Sequence, residues 1–226
     1  MTYSHQTILK RLQQRSVFTQ WILVLAIAAY LGLFGFNSLT RLRQFSPDSM
    51  NYVDVARSIV NGRGITQSTL GYNQYHFVVE GEIPTPFVTQ PPVYPLLIAL
   101  TSRFAIPYPD AALLVSTIFY GLVLLATFLM MRAWYDEQAA LLTVACLLFY
   151  YPLLRVSSFA WSEPVGIAFC FAAFWLLAHT RQASVRQGQL VFLAGLVMGL
   201  AFSTRYAFLP AVPTLRECAT WRMTVF

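Results

Sequence analysis

Charge is what this sequence has least of. Asp, Glu, Lys and Arg supply 11% of its 226 residues and hydrophobic residues 57%, against roughly 25% charged in an ordinary globular domain. That balance argues against a soluble protein and rules out a disordered one. Lysine occurs once, at Lys10. The net charge of +6, from 15 Lys and Arg against 9 Asp and Glu, therefore rests on scattered arginines. With no basic cluster to track phosphates, nucleic acid is not an expected partner. Cysteine is scarce as well: Cys146 and Cys170 lie inside apolar runs and Cys218 stands near the end, which excludes a disulfide framework and says nothing of redox compartment. Walker, dinucleotide, G-x-S-x-G and zinc signatures are all absent. His76 has no Cys or His at ligand spacing, which argues against a metal role.

Long uncharged windows are what the sequence does have. They run over 16–40, 111–131, 138–154, 164–180 and 187–204. Even the shortest rises about 25 Å at 1.5 Å per residue, close to the roughly 30 Å of a hydrocarbon core. The windows predict an all-α integral membrane protein of about five transmembrane helices. Lys10, Arg11 and Arg15 precede the first window as in a secretory signal, but the apolar run from Val17 to Phe36 exceeds the roughly 7 to 15 residues of a signal core and reads as an uncleaved span. A further window, 83–102, carries Pro84, Pro86, Pro91, Pro92 and Pro95, which forbid a continuous helix through it. Its apolar piece, Leu96 to Leu100, reads as re-entrant or interfacial. Residues 206–215 hold Pro210 and Pro213 and begin at most a partial sixth span.

Basic residues then orient the chain. Lys10, Arg11, Arg15, Arg132, Arg181 and Arg186 share one side if the N-terminus is cytoplasmic, with Arg155 opposite. Arg41 and Arg43 speak against this, but they open a long loop, and long loops cross largely regardless of charge. The organisation expected is a cytoplasmic stretch at 1–15, a first span at 16–38, a large outer loop with short interfacial helices at 39–109, further spans at 110–213 and an atypical tail at 214–226.

Chemistry belongs at the outer face in this arrangement. Ser46-Pro47 reads as an N-cap followed by a first-turn proline. Tyr52, Ala56, Ile59 and Val60 give an apolar stripe, and Asn61-Gly62 with Gly64 ends the helix. Asp48 has two readings: a carboxylate favoured by the helix dipole with no function required, or a functional group. Glu163, after Trp161-Ser162 and before Pro164, is either a helix-end cap or a site residue. Arg205, closing the fifth span, anchors the interface or binds an anionic head group. Trp161 and Trp175 read most simply as interface anchors.

Several motifs occur in a telling order. Pro47-Asp48-Ser49-Met50-Asn51-Tyr52 leads through Ala56 to Gly62-Arg63-Gly64, then come Gln90-Pro91-Pro92-Val93-Tyr94-Pro95-Leu96-Leu97, Ser162-Glu163-Pro164, and the small-residue run from Gly195 to Arg205. Over roughly residues 8 to 213 the chain resembles the N-terminal half of GT-C glycosyltransferases, most of all the bacterial relatives of dolichyl-phosphate-mannose protein mannosyltransferases. The resemblance implies transfer of a sugar from a polyprenyl-phosphate donor to a lipid, glycan or protein acceptor at the outer face of a bacterial inner membrane. It carries the catalytic role to Asp48 as general base and assigns Arg205 to the leaving phosphate. Glu163 would position substrate; Tyr52 and Tyr94 would line a donor or acceptor groove, or pack the interface. Where many relatives have a second acid this chain has Ser49, so no metal ligand is assigned and a divalent metal stays an open question.

From Thr214 the pattern changes, with Arg216, Glu217 and Arg222 where a sixth span would continue. The expectation from the resemblance is a truncated or frame-shifted end, and an enzyme incomplete without a C-terminal half. The competing readings are a non-catalytic or inactive membrane fragment and, less favoured, a small transporter subunit, which would need ionisable groups near mid-span that the windows lack.

Overall fold

The computed structural model describes residues 45–68, 85–87, 90–180 and 187–208. The expected first span at 16–38, His76, Cys218 and the tail at 214–226 lie outside them.

Helix α1, Pro47–Val60, starts as its sequence dictates. Ser46 is extended and its Oγ accepts the Ser49 N–H at 3.2 Å, while Pro47 occupies a first-turn position where a missing N–H costs nothing. Gly62 and Gly64 follow with φ of 75° and 74°, left-handed values that glycine adopts without penalty. The buried face is broader than the expected stripe: Ser49, Tyr52, Val53, Val55 and Ala56 are buried, whereas Val60 is exposed. Beyond the turn, β1, Thr66–Gln67, pairs antiparallel with β2, Thr85–Pro86, the one strand pairing among the described residues.

Helix α2, Val93–Ser102, replaces the short apolar piece expected at Leu96 to Leu100. It is longer because Pro95 falls in the first turn, where proline is tolerated. At ten residues it still rises only about 15 Å and cannot cross a bilayer. Tyr94, Pro95, Ile98 and Ala99 face inward.

Helix α3, Tyr108–Trp134, is 27 residues long, about 40 Å, and among the described residues is the single helix long and apolar enough to span a membrane by itself. The window 138–154, expected as one continuous span, is broken. Helix α4, Glu137–Leu148, and helix α5, Tyr151–Ser158, meet at 59°. Pro152 sits in the first turn of α5, where it has no N–H for the preceding turn and its ring would clash with the carbonyl four residues back if the helix ran on. Helix α6, Glu163–His179, and helix α7, Gln187–Phe202, are apolar and somewhat shorter than a full span, and a 3-10 turn, Tyr206–Phe208, follows α7.

Packing builds three hydrophobic clusters. Tyr94, Ile98 and Val115 join α1, α2 and the first half of α3. Tyr120, Val123 and Phe128 join the rest of α3 to α4 and α5. Cys170, Ala173, Met198 and Ala201 join α6 to α7. Long-range bonds fix the directions. Ser116, near the start of α3, donates to the Trp161 carbonyl just before α6 at 2.9 Å, and the Val93 N–H opening α2 donates to the Ser203 carbonyl after α7 at 3.1 Å. The starts of α1, α2, α3 and α6 and the end of α7 thus gather at one end of the bundle.

Candidate active site

Three side chains, that of the N-cap Ser46 and two on the first two turns of α1, stitch the helix to the turn before α6. Ser46 Oγ accepts the Trp161 Nε1–H at 2.6 Å. Ser49, fully buried, donates its hydroxyl to the Phe159 carbonyl. The Tyr52 hydroxyl lies 3.0 Å from Ser162 Oγ. Positions 46, 49 and 52 are three apart and so share one helix face. The turn they grip holds Ala160 at φ 55°, fully buried, a left-handed conformation that alanine takes only when its surroundings enforce it.

Asp48 falls off that face. Its side chain is exposed, and among the described residues no hydrogen bond or ion pair engages its carboxylate. Its charge nevertheless reaches the Tyr52 hydroxyl and the Glu163 carboxyl.

Glu163 opens α6 and Arg205 follows α7, and the guanidinium Nη1 donates to Glu163 Oε1 in an ion pair. The Glu163 side chain is 19% exposed and that of Arg205 40%. A guanidinium has five N–H donors, so Arg205 keeps part of its fork turned outward while one nitrogen holds Glu163. The second Glu163 oxygen is buried with no hydrogen-bond partner among the described residues.

Beneath this pair the Tyr52 and Tyr94 rings meet edge to face, with centroids 4.9 Å apart and planes at 88°. They are 2% and 0% exposed, so their rings are packed within the joint. The Tyr94 hydroxyl donates to the Ala112 carbonyl at 3.0 Å and lies 2.7 Å from Ser116 Oγ. Burial pushes the Tyr52 phenol from its ordinary 10.0 up to about 12, partly offset by its bond to Ser162 and by Arg205. Burial raises Tyr94 further still. Both remain neutral hydrogen-bonding groups at any ordinary pH.

All five site residues expected from the sequence, Asp48, Tyr52, Tyr94, Glu163 and Arg205, therefore stand at one corner, on four different elements or their flanks. Sequence reasoning treated Glu163 and Arg205 separately and missed their pairing. It also missed Ser49, Ser116 and Trp161 as ties; the available signal was the three-residue spacing of polar heads at 46, 49 and 52. Trp161 uses its N–H on Ser46, while Trp175 stacks edge to face on His179. Among the described residues no group of three or more His, Cys, Asp or Glu could hold a metal ion, and one of the two carboxylates at this corner is already engaged by Arg205.

At this end of a bundle of apolar helices Asp48, Glu163 and Arg205 form a polar site, with Arg132, Asp136 and Glu137 at the far end of α3. Residues 89–217 match the family model described as dolichyl-phosphate-mannose-protein mannosyltransferase. The chain belongs to that family, of the GT-C type. Membership makes it, at that coarse level, a membrane glycosyltransferase drawing on a polyprenyl-phosphate sugar donor. The match includes Tyr94, Glu163 and Arg205, while Asp48 and Tyr52 lie upstream of it. Among curated proteins and among solved structures nothing matches the chain.

Proposed function

We propose that this corner transfers a sugar from a polyprenyl-phosphate donor to an acceptor hydroxyl at the outer face of the membrane, in a five-span arrangement with the N-terminus cytoplasmic. One observation carries the reading: an unengaged carboxylate, Asp48, is tied into the same corner as a partly exposed arginine, Arg205.

Chemically, the acceptor oxygen attacks C1 of the sugar as Asp48 takes its proton. The C1–O bond to phosphate breaks, and its electron pair leaves with the polyprenyl phosphate. A hydroxyl is a poor nucleophile, and a positioned base contributes about 10²- to 10⁴-fold. The leaving phosphate needs a fixed cation more than an acid. Arg205 supplies it, held in place by Glu163, in surroundings of low dielectric where such a charge is worth more than in water. The starts of α1, α2 and α6 add the positive ends of their dipoles at the same corner.

The test is Asp48→Asn in protein reconstituted in lipid with a radiolabelled polyprenyl-phosphate sugar. Asn preserves size and helix-start compatibility, so the expected loss is about 100-fold or more in transfer rate with unchanged thermal unfolding. Retention of most of the activity would return Asp48 to the helix-dipole reading.

A further inference from the structure

Arg205 stands just past the last turn of α7. It lies between the end of α7 and the 3-10 turn, its backbone N–H bound to the Ala201 carbonyl at 3.1 Å and its carbonyl accepting the Phe208 N–H at 3.2 Å. Phe208 therefore supplies one of the two backbone ties on Arg205, the other coming from the last turn of α7. The Phe208 ring packs on the cluster of Cys170, Ala173, Met198 and Ala201 and lies against the backbone of Gly166. The approach is so close that a Cβ on Gly166 would overlap the ring edge.

The spacing of these contacts is the informative part. Glu163 and Gly166 are three residues apart on α6, so they share a face one turn from each other. Arg205 and Phe208 are three apart across the turn. Glu163 meets Arg205 and Gly166 meets Phe208, which gives two matched contacts between the same two segments. An ion pair alone is a loose hinge, since long side chains can swing while keeping one N–H···O contact. A second contact one turn away, made by a flat ring against bare backbone, removes that freedom. Gly166 meets no backbone requirement for glycine, because it lies inside α6 where glycine costs roughly 1 kcal/mol relative to alanine. Its use there is explained by the space the ring takes.

We propose that Gly166 and Phe208 are positioning residues: the ring seated on the glycine fixes the 205–208 turn so that the free side of the Arg205 guanidinium faces the phosphate of the lipid donor. The inference rests on Arg205 being the phosphate-binding group and goes beyond it in saying what aims that group. Neither Gly166 nor Phe208 touches substrate. A methyl at 166 displaces the ring and with it the turn, and the loss appears as weaker phosphate binding through Arg205.

Affinity for a short, water-soluble polyprenyl phosphate, measured by calorimetry on the full chain in lipid nanodiscs, tests this without requiring turnover. Four proteins are compared: wild type, Gly166→Ala, Arg205→Gln, and the two changes combined. Gly166→Ala is expected to weaken binding about tenfold, a loss comparable to that of one charge-assisted hydrogen bond. In the Arg205→Gln background the same change is expected to do nothing further, because the group being aimed is gone. Gly166→Ala combined with Phe208→Leu, which returns space to the methyl, is expected to recover most of the affinity. Additive losses in the Gly166→Ala, Arg205→Gln double variant, or wild-type binding by Gly166→Ala, overturn the proposal. Wild-type binding by Arg205→Gln instead overturns the role of Arg205 under Proposed function, so the two failures are told apart. Should Gly166→Ala fail to fold, Phe208→Ala takes its place in the same comparison, since it removes the ring without adding bulk to α6.

Discussion

Burial decides how each tyrosine at the corner behaves. Tyr52 has its phenol pushed to about 12 from 10.0, chiefly by desolvation. A group whose folded value is raised contributes stability that is fully present below its unfolded value and lost as pH rises through the folded one. The protein therefore loses up to about 3 kcal/mol of stability through Tyr52 between pH 10 and 12. Tyr52→Phe removes that component, and its unfolding free energy, followed from pH 9 to 12 in lipid, is expected to fall less steeply than that of the wild type. An identical alkaline slope in the two proteins would show that the phenol is more hydrated than its 2% exposure implies. Asp48 is the opposite case, exposed and unengaged, with its chemistry left to the substrate.

Local chemistry sets where the elements start and stop. Asp136 caps α4 by accepting the Ala139 N–H at 2.8 Å, as Ser46 caps α1, and each stands just ahead of a helix whose first N–H groups need an acceptor. Gly62 and Gly166 are glycines for different reasons, which makes them a useful pair. At Gly62 a Cβ would meet nothing, but φ is 75°, so Gly62→Ala is expected to cost about 1 to 2 kcal/mol through backbone strain alone, read as a drop in thermal unfolding midpoint with phosphate affinity unchanged. A loss of affinity at Gly62 as large as at Gly166 would mean that the whole corner yields to any perturbation of α1. The break between α4 and α5 is likewise local in origin, since Pro152 ends the one helix and suits the first turn of the next. Its consequence is not local: α5 leans so that Phe159, Trp161 and Ser162 arrive under α1.

At the scale of the molecule, α3 and α6 run away from the corner and α7 returns to it. Trp134 at the far end of α3 meets Phe174 far along α6, 6.3 Å between ring centroids, so Gln187 at the start of α7 stands at the opposite end from the site. Ser68 is tied by its N–H to Asp54 on α1 and belongs to the site end. Single cysteines at Ser68 and Gln187, both exposed, in a background without Cys146, Cys170 and Cys218, are expected to report opposite sides of the membrane. An impermeant thiol reagent should label position 68 in intact cells and leave 187 untouched. Labelling of both, or of 187 alone, would remove Asp48 from an outer-face substrate.

Much of this was legible in the amino-acid sequence. Scarce charge and long apolar windows announced a membrane protein, and three of the four windows among the described residues became the single helices α3, α6 and α7, because a helix satisfies its backbone hydrogen bonds within its own stretch of sequence. Ser46, Pro47, Gly62 and Gly64 bounded α1 for the same reason: caps and turns act within a few residues. The extent of α2 and the break at Pro152 were also written locally, but were obscured by reading proline as a uniform breaker and uncharged length as continuity. What only the tertiary structure decided is which chemistry-bearing residues meet. Ser49 and Phe159, Tyr52 and Ser162, and Glu163 and Arg205 are brought together across 110, 110 and 42 positions. Whether such pairs touch depends on the rotation and height at which one helix docks on another. Side-chain packing summed over the whole bundle sets that register, and no window of sequence contains it.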